Sequence, residues 1–148
     1  MKIISGGQTG VDRAALDVAI QLGIPHGGWC PRGRLAEDGR IPDRYLLDET
    51  DVPDYPVRTE QNVIDSDATL ILCHGEPSGG TDLTRRLAEQ YGRPWMVVDL
   101  DDPPAPEAVG AWIAEQAVEW LNVAGPRESQ NPGIADEARW YLSRVFGG

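Results

Sequence analysis

Apolar positions along the chain gather into short runs that alternate with stretches of helical spacing. Lys2 to Ser5 forms the first run and breaks into Gly6-Gly7-Gln8-Thr9-Gly10. A helix is expected from Val11, because Val11, Ala14, Ala15, Val18, Ala19 and Leu22 recur on one face at three/four spacing. Gly23 then stands where a C-cap glycine belongs. A short strand is expected around Ile24 to Trp29, limited by its Pro and Gly content. Cys30 to Arg58 shows no period and carries Pro31, Gly33, Gly39, Pro42, Pro53 and Pro56 among many charges. A linker is one reading of it. A stretch this long inside one domain is more often functional, so residues 30–58 are expected to form a lid or rim.

Order returns at Thr59, an N-cap residue type, with a short helix to about Asp65. Ala68 to Cys73 is apolar and partly β-branched, which predicts a buried central strand. After Gly75 to Gly80, Thr81 is expected to cap a helix running to Tyr91, closed by Gly92. Trp95 to Leu100 is a further strand, followed by a helix over Glu107 to Ala117 with Val109, Trp112, Ile113 and Ala117 on one face. Trp120 to Ala124 is the last strand. The closing helix, near Pro132 to Phe146, is expected to bury Ile134, Ala138, Tyr141, Leu142 and Val145. Strand and helix alternate about five times, which predicts an α/β fold: a doubly wound, mostly parallel sheet of about five strands with helices on both faces.

The length of 148 residues suits a single domain, residues 1–148. Lys+Arg is 13 against 24 Asp+Glu, a formal charge of −11. That acidity repels nucleic-acid backbone and anionic membrane, so neither is expected as a partner. No stretch approaches the roughly 20 apolar residues of a membrane span. The start breaks into glycine before a signal-peptide core could form. With only two cysteines there is no disulfide framework, and a cytoplasmic protein is expected.

A parallel sheet sends every strand out at one edge, where ligands bind. Three exits carry small, flexible turns: Gly6 to Gly10, Gly75 to Thr81, and Gly125 to Ser129. Each turn alone could be a tight strand-to-helix connection. Gly-Gly-Gln-Thr-Gly is neither the dinucleotide fingerprint nor a P-loop. Together the turns imply a cleft for phosphate or carboxylate, since glycines let N–H groups approach an anion and helix N-termini add positive charge. The expected binding residues are Gly6, Gly7, Gln8, Thr9, Gly10, Asp12 and Arg13 at the first exit. Gly79, Gly80, Thr81 and Asp82 belong to the second, and Arg127, Glu128 and Ser129 to the third. Arg32 and Arg34 join them from the irregular segment, because guanidinium groups in or beside such loops suit anion recognition, although surface charge explains some of them. Arg13 and Arg127 carry the strongest expectation. Asp12 and Asp82 also fit helix capping.

No metal site is expected. Cys30 and Cys73 read as small buried apolar residues rather than soft metal ligands. Ser5, Ser78 and Ser129 lack evident His/Asp partners, so no serine-hydrolase triad is expected, and no catalytic residue is assigned. Trp112 and Trp140 fall at helical core spacing. Trp29 leads into the site-side loop and could stack on a planar ring.

Ser5-Gly6-Gly7-Gln8-Thr9-Gly10-Val11-Asp12-Arg13, followed by Gly27-Gly28-Trp29-Cys30-Pro31-Arg32-Gly33-Arg34 with Glu37-Asp38-Gly39, resembles the putative molybdenum carrier family. That family is also described as circularly permuted YpsA-like proteins of the SLOG superfamily. Arg58 to Val63, Ser66 to Ile71, Gly79-Gly80-Thr81 and Asn122 to Ser129 extend the resemblance over almost the whole chain. It implies a Rossmann-like domain that holds the molybdenum cofactor (molybdopterin) or a nucleotide-like molecule in the glycine loops and forms a homo-oligomer. The wider superfamily includes LOG-type phosphoribohydrolases with a Gly-Gly-x-Gly-Thr-x-x-Glu motif. Here Gly79-Gly80-Thr81-Asp82-Leu83-Thr84 puts Thr84 at the glutamate position and lacks one glycine. The expected function is therefore a carrier or binding protein for a phosphorylated small molecule. The alternatives are a nucleotide hydrolase, with Glu37 or Asp82 substituting for the glutamate, and a sensor of a nucleotide-derived signal.

Overall fold

The computed structural model describes residues 1–147. In chain order the elements are β1 (Lys2–Ile4), α1 (Val11–Leu22), β2 (His26–Gly27), β3 (Trp29–Cys30), β4 (Leu35–Ala36), β5 (Gly39–Arg40) and β6 (Asp48–Glu49). There follow α2 (Tyr55–Asp65), β7 (Ala68–Cys73), α3 (Gly79–Gln90), β8 (Trp95–Asp99), α4 (Pro106–Glu115), β9 (Trp120–Ala124) and α5 (Ile134–Gly147). Five of the strands make one parallel sheet in the order β2-β1-β9-β7-β8. This is the expected α/β, Rossmann-like architecture in a single domain.

The direction of each crossover decides which face its helix covers. β1 to β2 and β8 to β9 step one way across the sheet, whereas β2 to β7 and β7 to β8 step the other way. Right-handed connections therefore place α1 and α4 on one face and α2 and α3 on the opposite one. The packing agrees: α5 lies against both α1 and α4, and α2 lies against α3. The larger core fills the first face, with Ile3, Leu70, Leu72, Leu121 and Val123 from the sheet meeting Val18, Ile134 and Leu142. A smaller cluster of Val63, Leu87 and Ala88 joins α2 to α3.

The expected strand over Ile24 to Trp29 divides at Gly28. Its first part extends the sheet beside β1, and its second part, β3, turns away to pair with β6. Gly28 has φ +132°, and a Cβ there would lie 2.2 Å from the Ser5 carbonyl, so only glycine permits the division. Residues 30–58 are thus not a plain linker. They pack Cys30, Ile41 and Tyr45 onto Leu16, and the Tyr45 hydroxyl donates to Asp17 at 2.5 Å.

Two helices begin earlier than the sequence predicts. α2 starts at Tyr55 behind Asp54, with Pro56 in its first turn, where a missing N–H costs nothing. Thr59 is interior to it and donates its hydroxyl to the Tyr55 carbonyl at 3.1 Å. α3 starts at Gly79 behind Ser78, and Thr81 is buried in its first turn. Trp140 also departs from its expected core position: it is 58% exposed, with the Arg144 guanidinium 3.6 Å from its ring centre. No helix among the described residues is long and apolar enough to cross a membrane.

Gly10, at φ +82°, faces the Pro126 carbonyl so closely that a Cβ would lie 2.2 Å from its oxygen. Gly10→Ala combines a disfavoured φ with backbone overlap and should lower unfolding free energy by about 2–5 kcal/mol. Gly23→Ala, also at positive φ but with nothing within 4 Å, should cost about 1–2 kcal/mol. Urea unfolding of the two variants checks the contrast, and equal midpoints would refute it.

Candidate functional site

All five strands of the main sheet point the same way, so their exits and the N-termini of α1, α2 and α3 share one edge. α1 leaves β1 toward one face and α3 leaves β7 toward the other, with β9 between them. The edge opens there. The resulting cleft is small, about 100 Å³, and opens to solvent at its mouth. Gln8 and Asp12 line it from the first exit, and Tyr55, Arg58 and Thr59 from the first turns of α2. Gly80, Thr81 and Thr84 contribute from α3, and Gly125 and Arg127 from the segment after β9.

Below the mouth the walls close onto Gly6, Asp12, Arg58, Asn62, Thr84 and Asn122. Arg58 dominates this floor. Its guanidinium lies against the Gly6 backbone, where a Cβ would come within 2.8–3.0 Å of three of its atoms. Nη1 donates to the Thr59 hydroxyl at 2.9 Å and stands 3.9 Å from the Asp12 carboxylate. The Nε–H is buried without a hydrogen-bond partner among the described residues. An orphaned buried donor of this kind costs about 1–3 kcal/mol until an acceptor arrives. Burial pushes the Asp12 carboxyl above its ordinary value, and Arg58 opposes that shift. Arg58 and Arg127 both approach the Tyr55 ring, at 5.5 and 5.8 Å from its centre.

The expected site residues divide between this cleft and its scaffold. Gln8, Asp12, Gly80, Thr81 and Arg127 line the cleft, and Gly6 underlies Arg58. Gly7 faces elsewhere, since a Cβ there would meet Leu47 and Ile41. Gly10 packs on the Pro126 carbonyl, and Gly79 opens α3 at φ +53°. Arg34 donates to the carbonyls of Ile41, Pro42, Tyr45 and Leu47, so its donors hold the irregular segment in shape. Arg32 is exposed away from the cleft lining. Arg13 donates to the Gly7 carbonyl and, through both Nη atoms, to Asp38. Asp82 pairs with Arg85 and Arg86. Glu128 accepts from the Gly133 and Ala135 N–H groups at the start of α5.

Thr9 and Ser129 both donate to Glu37, which comes from the β4–β5 hairpin. Burial works against the charge of Glu37, but the Ser129 and Thr9 donors outweigh it and hold the carboxyl below its ordinary value. Trp29 is tied outside the cleft lining: its indole N–H donates to Asp65 at 2.7 Å, and Asn62 bonds both its backbone N–H and its carbonyl. Cys30 and Cys73 are buried, and burial raises the Cys73 thiol to about 11. No cluster of three or more His, Cys, Asp or Glu among the described residues is arranged to hold a metal ion.

Sequence reasoning missed Arg58, Tyr55, Asn62 and Asn122. Asp54 followed by Pro56 in a first turn was the available signal for the earlier start of α2, which would have put Tyr55 and Arg58 at the site edge.

The profile of the circularly permutated YpsA SLOG family matches residues 3–146. The crystal structure of a "putative molybdenum carrier protein" from Syntrophus aciditrophicus superposes with a TM-score of 0.94 at 49% identity, covering 98% of this chain and 94% of that one. None of the curated proteins matches the chain.

Beside the cleft, His74 bridges the Asp101 carboxylate, 2.8 Å from Nδ1, and the Glu137 carboxylate, 2.9 Å from Nε2. The Asp101 hydrogen bond, aided by Glu137, raises the imidazole above its ordinary 6.5. The stability this bridge confers is complete below pH 6.5 and is lost as pH rises through the raised value. His74→Gln should therefore unfold at lower temperature than the parent in mild acid. The gap should narrow as pH rises through the raised imidazole value, which thermal unfolding across pH would measure.

Proposed function

Because this chain belongs to the circularly permutated YpsA SLOG family, we propose that its cleft binds a phosphorylated small molecule with a planar ring, of the molybdenum-cofactor type, and that the protein carries this ligand. The observation that supports the reading best is Arg58, a guanidinium seated in the cleft floor with its Nε–H unpartnered. A ligand oxyanion would satisfy that donor. Arg127 at the rim would add a second charged contact, and the Gly80 and Gly125 corners would offer backbone N–H groups. Tyr55, flanked by both guanidinium groups, is better placed than Trp29 to stack on a planar ring. The printed name of the Syntrophus protein supports the choice of cargo. A cytoplasmic homo-oligomer belongs to the same reading, and the exposed Trp95, Trp120 and Trp140 support the association.

The rival reading, a nucleotide hydrolase, finds some support in Asp12, the one carboxyl among the cleft-lining residues. Thr84, at the position of the motif glutamate, donates its hydroxyl to the Gly80 carbonyl and offers no acid or base.

Arg58→Ala and Arg127→Ala should each weaken binding of a nucleoside monophosphate by about 1–3 kcal/mol in calorimetry, with the fold retained. Affinities equal to the parent in both variants would sink the cleft assignment. Native mass spectrometry of protein from a host that makes molybdenum cofactor should show the bound cargo. Release of free base or phosphate above a no-protein control would instead favour the hydrolase.

A further inference from the structure

The donors of Thr9, Arg13 and Ser129 come from two different strand exits, yet they converge on the tip of one hairpin. Glu37 accepts the Thr9 hydroxyl, the Ser129 hydroxyl and the Ser129 N–H, the last at 3.1 Å. Asp38 takes both Nη atoms of Arg13, at 2.5 and 3.0 Å. Two hydroxyls, a backbone N–H and a forked guanidinium are the donor set that an oxyanion needs. Here the chain supplies the acceptors itself.

The hairpin is firmly held at its base, whereas its tip is held by polar contacts with little apolar burial. Arg34 locks the base through its four carbonyl acceptors, and the Ile41 N–H closes on the Arg34 carbonyl at 2.8 Å. Beyond that base, residues 37–40 are exposed, and Leu35 is 43% exposed. Ala36 is the hairpin's apolar contact with the cluster beneath. Lifting the tip therefore exposes little apolar surface, which marks a segment of low local stability. The Glu37 N–H donates to the Gln8 side-chain oxygen at 2.9 Å, and that same oxygen takes the Thr9 N–H. Gln8 also lines the cleft, so the hairpin tip and the cleft share a residue.

We propose that Glu37 and Asp38 act as an internal anion, filling an oxyanion subsite beside the cleft and forming a strap that a phosphate-bearing ligand displaces. The inference rests on the cleft's reading as an anion site and adds its regulation. A phosphate dianion matches the combined charge of the two carboxylates and gathers its oxygens on one atom, so it can take up the same donors when the tip lifts. While the strap is closed the subsite is filled, and apparent affinity falls by the fraction of molecules that are open.

The test is calorimetric titration of the full chain with inorganic phosphate, in the parent, in Glu37→Gln/Asp38→Asn, in Arg58→Ala and in all three substitutions combined. Both tip residues are exposed, and the double variant should stay folded. If the strap is closed about nine times in ten, the double variant binds phosphate about tenfold more tightly than the parent. Hydrogen exchange gives a second readout on the parent itself: phosphate should speed exchange at the Glu37 amide. A double variant that binds no more tightly, with exchange at Glu37 unmoved by phosphate, overturns the strap. If parent affinity still depends on Arg58 in that case, the cleft reading stands alone. A tenfold gain that persists on the Arg58→Ala background supports the strap even where Arg58 contributes nothing.

Discussion

Close contact between neighbouring strand exits is the constraint on which the rest of the structure depends. Gly28 lies against the Ser5 carbonyl, Gly10 against the Pro126 carbonyl, and Gly125 against the Leu72 carbonyl. In each case a Cβ would fall 2.2 Å from the oxygen. These contacts follow the sheet order, joining β2 to β1, β1 to β9, and β9 to β7. The exits are thereby drawn together along one edge with backbone, rather than side chains, at the seams. That is why loops separated by more than a hundred residues can share one small site.

The opposed directions of the crossovers create the opening along that edge. α1 and α3 leave adjacent parts of the sheet toward opposite faces, and the space between their N-termini has no helix to fill it. α2 completes the wall and brings Arg58 with it. In a chain of net charge −11, the placement of cations is informative chiefly through what each one already holds. Arg34 has its donors committed to four carbonyls, and Arg13 is shared between Gly7 and Asp38. Arg58 keeps a buried N–H in reserve. Three guanidinium groups of the same chemistry thus differ in role because their acceptors differ.

The alternation of apolar runs with helical spacing made the parallel α/β fold and its five sheet strands legible. Those signals depend on period and on glycine punctuation, which act locally. The first and third glycine turns were legible for the same reason. Thr59 and Thr81 misled as helix starts, because a threonine has the same identity whether it caps a helix or donates inside one. Trp140 shows a similar ambiguity: it keeps helical core spacing but is exposed, with the Arg144 guanidinium over its ring.

The sequence by itself determined the fold class, the edge at which the glycine turns gather and a formal charge of −11. Each follows from local period, strand direction or a charge count. Tertiary structure alone decided that Arg58 joins Arg127 at the cleft, that Glu37 fills the Thr9 and Ser129 donors, and that Tyr55 rather than Trp29 lines the cleft. Those outcomes depend on which acceptor lies within hydrogen-bonding distance once the chain has closed. That distance is set by contacts far apart in sequence, and no local pattern encodes it.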